Sequence, residues 1–175
     1  MDIKPHPQFL EVLFAFKNKV SMVFQDVLGI HEIHHLSLTR INKNNQLITF
    51  SSTPALEYNL FSSQLWLYDK TYNPQWYQQY TQSNWQNLYQ ETRYDELYYL
   101  KQIKHNYPLG LSLAAKINET PVIYSLASNK SCRKTEELFT QQQEEFYKIG
   151  LYCYTLLDTL FNYCDSLQVD YELSK

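Results

Sequence analysis

Glycine is scarce in this chain: Gly29, Gly110 and Gly150 are the only three in 175 residues. Three scattered glycines cannot spell a dinucleotide-binding turn or a phosphate-cradling P-loop, and no G-x-S-x-G elbow occurs. Cysteine is also scarce. Cys132, Cys153 and Cys164 are odd in number and match no zinc spacing, so they read as reduced thiols in a reducing compartment. Cys132, beside Lys130 and Arg133, is the one candidate thiol nucleophile. No base is indicated near it, so it reads as an ordinary loop cysteine. No apolar run is long enough to span a membrane, and Met1 to Pro5 does not read as a signal peptide. The default location is therefore the cytoplasm. There is no block of like charge, and the net charge is −3, so no electrostatic footprint for a phosphate backbone is present.

Aromatic residues are plentiful: 16 Tyr, 9 Phe and 3 Trp. Tyrosine, with an apolar body and a polar tip, suits cavity walls and interfaces as well as half-buried surfaces. A hydrophobic fraction of 44% with 19% charged residues describes one globular domain, 1–175, able to bury a full core.

Periodicity orders the elements. Phe9, Leu13, Phe16, Val20, Val23 and Val27 fall at spacings of three and four, predicting one helix that ends at Gly29. A strand is expected from His31 to Ile41, a turn at Asn42–Asn45, and a second strand from Gln46 to Ser51. Thr53-Pro54 and Asn73-Pro74 open further helices. Trp76 to Tyr94 carries no clear period. Asp95-Glu96 begins a helix whose last turn holds Lys101, Lys104 and His105, complementing its dipole. Leu109, Leu111 and Leu113 alternate with small residues, and Val122 to Ala127 follows a turn, giving a second hairpin. A long helix is predicted over Thr135 to Tyr163. The order implies an α/β (α+β) fold: a central, mainly antiparallel sheet with helices packed on its faces.

His31-Glu32-Ile33-His34-His35 spells H-E-x-x-H, which on a helix would hold zinc. Here it leads into a strand, where residues four apart lie about 13 Å from each other and cannot share a metal. No metal, cofactor or catalytic centre is therefore assigned. Glu136-Glu137 and Glu144-Glu145 read as a solvated helix face. Asp69, in Leu65-Trp66-Leu67-Tyr68-Asp69, is either a turn aspartate or a carboxylate set among aromatics to accept a ligand's N–H.

Leu109-Gly110-Leu111-Ser112-Leu113, a turn, and Val122-Ile123-Tyr124-Ser125-Leu126-Ala127-Ser128 carry a resemblance. With the Leu28-Gly29-Ile30 junction and the long final helix, the chain from about 8 to 165 resembles the signal-binding domain of LuxR-type quorum-sensing regulators. The resemblance implies a three-layer α-β-α, PAS/GAF-like sensor domain with a signal held between sheet and helices. Asp69 would accept the signal's amide N–H, Trp85 would wall its head group, and Ser125 would bond its carbonyl region, with Leu56, Tyr58 and Trp66 on the wall. Leu56 stands where the family has a tryptophan donor, Ser52 near a tyrosine position and Lys70 in place of a proline, so a lactone would lack one hydrogen bond. No helix-turn-helix follows before Lys175. The implied function is a sensor for a small apolar or acylated signal, acting as a homodimer or paired with a LuxR-type regulator, without direct DNA binding. The long helix, with Tyr147, Tyr152 and Tyr154 beyond its core stripe, is the expected pairing surface. A ligand-free interaction module, such as a bacterial adaptor or secreted effector, is the other reading.

Overall fold

A computed structural model describes the backbone of residues 2–173 and the side chains of residues 2–167. Two hairpins make the centre of the sheet. Strands β2 (His35–Ile41) and β3 (Gln46–Ser51) pair around the asparagine turn; β5 (Leu109–Ile117) and β6 (Thr120–Ser128) pair around Asn118 and Glu119. Both of those turn residues have positive φ, 50° and 68°, the conformation that matches a two-residue turn to the twist of its strands. The hairpins join through β2 and β6, also antiparallel. Short edge strands β1 (Lys4–Pro5) and β4 (Gln82–Asn84) complete the order β1-β3-β2-β6-β5-β4. Only the β1–β3 edge pair is parallel among the described residues.

The two faces of the sheet differ. Leu36, Leu38, Ile48, Phe50, Leu111, Leu113, Val122, Tyr124 and Leu126 point to one side and form a continuous apolar core. That side is covered by α2 (Lys17–Gln25), α6 (Arg133–Gln141) and α7 (Gln143–Leu173). Arg40 interrupts it and fastens α7 to the sheet. Its guanidinium donates to Asn162 Oδ1 at 2.9 Å and to Asp165, and lies 5.3 Å over the Phe161 ring. The opposite face is covered by α3 (Pro54–Ser62), α4 (Pro74–Tyr77), α5 (Tyr94–Tyr98) and a series of 3-10 turns that bring in Trp66, Tyr72, Trp76, Trp85 and Tyr89. Three layers and the antiparallel centre follow the sequence expectation.

Several boundaries do not. The first helix is broken: α1 (Phe9–Val12) and α2 are separated by Phe16 at φ 57°. Phe9 and Leu13 pack in one face's core and Val20 to Val27 in the other's, so the chain must turn at the sheet edge, which one straight helix cannot do. His31 and Glu32 lie in a 3-10 turn with positive φ, and the strand starts only at His35. The unassigned stretch resolves into α4, β4 and 3-10 turns, each too short to show a period. The helix expected from Asp95 is α-helical only to Tyr98 and continues as a π-helical stretch, Tyr99–Lys104. The last helix breaks at Gln142. Tyr154 and Tyr147, expected at a free surface, are instead tied inward, Tyr154 to Arg40 and Tyr147 to the carbonyls of Thr81 and Ala114. No helix among the described residues is long and apolar enough to cross a membrane.

Gly150 on α7 sits against the Tyr124 ring; a Cβ there would come within 2.5 Å of it. Gly150→Ala gains up to about 1 kcal/mol of helix propensity but overpacks a buried contact at a cost of about 1–3 kcal/mol. We expect a net loss, read as a lower urea midpoint. An unchanged midpoint would show that Tyr124 can step aside.

Candidate functional site

The strand register aligns a row of hydroxyls across the sheet. Ser51 on β3 pairs with Ser37 on β2, Ser37 with Ser125 on β6, Ser125 with Ser112 on β5, and Ser112 with Ser83 on β4. Because side chains alternate along a strand, these serines share one face. Gly110, Ala127 and Ala114 flank them on neighbouring positions of the same face. This floor is made of side chains too short to reach the helical layer, so longer groups from that layer come down to meet it.

Trp85 is the largest. Its indole lies on Gly110, where a Cβ would fall 2.0 Å from Cδ2, and its Nε1–H donates to Ser125 Oγ at 3.0 Å. Asp69 caps a 3-10 turn, and its Oδ1 accepts from the Thr71 backbone N–H at 3.0 Å. The Thr71 hydroxyl in turn meets Ser112 Oγ at 3.1 Å. Asp69 Oδ2 accepts from Lys101 Nζ at 2.9 Å. The same ammonium stands 4.0 Å from the centroid of the Trp85 ring and 5.5 Å from that of Tyr89. The side chains of Asp69 and Lys101 are 0% and 3% exposed, so this is a buried ion pair. Such a pair is held by hydrogen bonds and ring contacts that offset its desolvation, and removing one partner strands the other's charge. Burial first, and then the Asp69 charge, push the Tyr72 and Tyr89 hydroxyls up, so both stay protonated. Tyr89 donates to Gln102 Oε1 at 3.0 Å, and Gln102 donates to the Pro108 carbonyl at 2.9 Å.

A second polar network lies beside the first. His35 Nδ1 is 3.0 Å from Thr53 Oγ1, which is 2.7 Å from Tyr107 Oη. On the other side of the ring, His35 Nε2 is 3.5 Å from Glu57 Oε1. This network anchors α3 to the sheet. His35 Nε2 and Glu57 Oε2 are buried and make no hydrogen bond among the described residues.

The structure thus brings Asp69, Trp85 and Ser125 into one buried space, linked through Lys101. Leu56 is buried on the inward side of α3, and Trp66 stacks on Phe61 at 5.3 Å in the same apolar layer. Tyr58 is not on that wall: Leu56, Glu57, Leu60 and Phe61 take the inward side of α3, and Tyr58 is 42% exposed, packed on Phe14. An open surface groove of about 500 Å³ is lined by Asp69, Lys4, Trp66, Tyr72 and Pro74, although the Asp69 side chain itself stays unexposed. Lys101, Tyr89, His35 and Glu57 were missed from sequence. Lys101 reads there as a helix-end cation, yet it follows Leu97 by four residues, a spacing that shares a helix face. The remaining candidates stay apart. His34 contacts Ser128 and Glu32, and no group of three or more His, Cys, Asp or Glu among the described residues could hold a metal. Cys132 is exposed, its thiol drawn down chiefly by the Thr135 hydroxyl, whereas burial pushes Cys153 and Cys164 up to about 12 and about 11.

No protein-family model and no curated protein sequence matches the chain. The fold is similar to that of SdiA, a LuxR-type quorum-sensing regulator. Against a crystal structure of the Escherichia coli protein the TM-score is 0.51 at 12% identity, covering 81% of this chain and 61% of that one. Against SdiA in complex with octanoyl-rac-glycerol it is 0.52 at 12% identity, covering 86% and 62%. The chain therefore spans about three fifths of the length of the SdiA structures it matches. At this identity the likeness is one of fold alone.

Gly110→Ala should lift the Trp85 indole from the sheet, break its bond to Ser125 and part it from Lys101. We expect a loss of about 1–3 kcal/mol, as for other overpacked cores, together with red-shifted tryptophan emission. Unchanged emission and stability would contradict the close approach.

Proposed function

We propose that this chain is a regulatory domain of the signal-binding type that works by binding and association, not by chemistry. Its signal, a small and mainly apolar or acylated molecule, docks at the Asp69–Trp85–Ser125 cluster. The observation that carries this reading is convergence. Three polar anchors from distant parts of the chain meet over a floor of serines, inside an otherwise apolar aromatic layer. A dry chamber with few polar anchors is what a small-molecule site requires. A surface groove is lined by Asp69, whose side chain is buried against Lys101, so a guest enters only as Lys101 gives way. The fold neighbour that holds octanoyl-rac-glycerol supports a ligand of acyl character. The missing donor at Leu56 argues for weak binding of acyl-homoserine lactones, by about 1–3 kcal/mol for one unmade buried hydrogen bond. Buried thiols at Cys153 and Cys164 suit a reducing compartment, and we place the protein in the cytoplasm.

One observation favours the second reading, a ligand-free interaction module. Lys101 already occupies the Asp69 carboxylate, so the site is satisfied without a guest. On either reading association matters. Leu151, Tyr152, Leu156 and Tyr163 are exposed on α7, and we infer that this face pairs with a second copy or a LuxR-type regulator.

Native mass spectrometry of the purified protein should show a bound small molecule that Asp69→Asn loses. A wild-type mass equal to that of the bare chain would favour the module. Light scattering should give a dimer that Leu156→Glu converts to monomer; a wild-type monomer at high micromolar concentration would contradict the pairing.

A further inference from the structure

The cluster described above is built for a positive charge. Asp69 contributes a fully buried carboxylate, and Trp85 and Tyr89 contribute ring faces. An ammonium has three N–H donors, and the Lys101 ammonium has Asp69 as its one hydrogen-bond acceptor among the described residues. Its remaining contacts are with rings, the arrangement by which aromatic faces attract a desolvated cation. A neutral N–H donor in the same place would make the hydrogen bond but leave the buried carboxylate without a counter-charge. The side chain that fills the place comes from a π-helical stretch, Tyr99–Lys104, a rare winding that recurs at functional sites. Asp69 also lines a surface groove, but its side chain and that of Lys101 are buried, so a second cation reaches the carboxylate only as Lys101 withdraws.

We propose that Asp69, Trp85 and Tyr89 form an ammonium-binding cradle whose resident is the chain's own Lys101, and that a signal taking this place carries a protonated amine at its polar end. This rests on the signal-binding reading and sharpens it. The acyl or other apolar part lies in the aromatic layer, and the cationic end exchanges with Lys101.

The test removes the resident and supplies its chemistry from solution. Lys101→Ala deletes three carbons and the nitrogen, and propylammonium is that fragment. At constant ionic strength, propylammonium chloride should raise the melting temperature of Lys101→Ala saturably. It should bind at least about tenfold more tightly than 1-propanol, which has the same shape without the charge. The wild-type protein should not respond, and the Asp69→Asn/Lys101→Ala double variant, which has no buried lone charge, should fold and not respond either. If Lys101→Ala folds only with the amine present, its recovery as soluble protein is the readout and supports the cradle. Equal responses to amine and alcohol, no rescue by either, or the same amine response in the double variant would overturn it. The two readings fail separately. Rescue of Lys101→Ala alongside a wild-type protein without a bound molecule keeps the cradle and removes the signal. A neutral signal held by the wild type at Asp69, with no rescue of Lys101→Ala, keeps the signal and removes the cradle.

Discussion

The constraint on which this structure depends is the shortness of the side chains on one face of its sheet. Five serines in register, flanked by glycine and alanine, cannot reach the layer of helices and turns above them. Close packing does not tolerate the gap this would leave. The space is closed from above by an indole laid flat on Gly110 and by a lysine brought down onto an aspartate. The polar tips of the incoming groups find partners there: Trp85 on Ser125, Thr71 on Ser112, Lys101 on Asp69. The opposite face needs no such arrangement, because leucine, valine and phenylalanine meet α2, α6 and α7 directly.

That asymmetry divides labour. The apolar face is the scaffold, fastened at one end by Arg40 beneath α7. The short-side-chain face is filled by long, separately anchored side chains, and it is there that the proposed binding function is placed. The likeness to SdiA is confined to the fold. The buried Asp69 carboxylate faces a lysine of the same chain, so on the proposed reading a cationic ligand competes with Lys101.

Much of the scaffold was legible in the sequence, and the site much less so. Alternation marked both hairpins, and the asparagine turn and Pro54 marked their neighbours, because these signals are local. The break at Phe16 was hidden, since no glycine or proline announces it; the need to serve two faces of the sheet imposes it. The run from Trp76 to Tyr94 was unreadable because 3-10 turns of three or four residues have no period to detect. Asp69, Trp85 and Ser125 were chosen through a family resemblance, and the spacing of residues would not have grouped them. Lys101 and Thr53 were each assigned a local role, at a helix end and a helix start, and each proved to reach across the fold. The serine row exists only once the register is known, since its members lie on five separate strands.

The central claim is that the anchor aspartate holds an ammonium buried against Trp85. Lysine-selective ¹³C,¹⁵N NMR, with Lys101 assigned by its disappearance in Lys101→Arg, tests this most directly. The expected result is a lysine whose Nζ protons exchange slowly with water and whose ε-methylene protons are moved upfield by the indole ring current. A Lys101 signal with fast exchange and the shifts of a solvated lysine would contradict it.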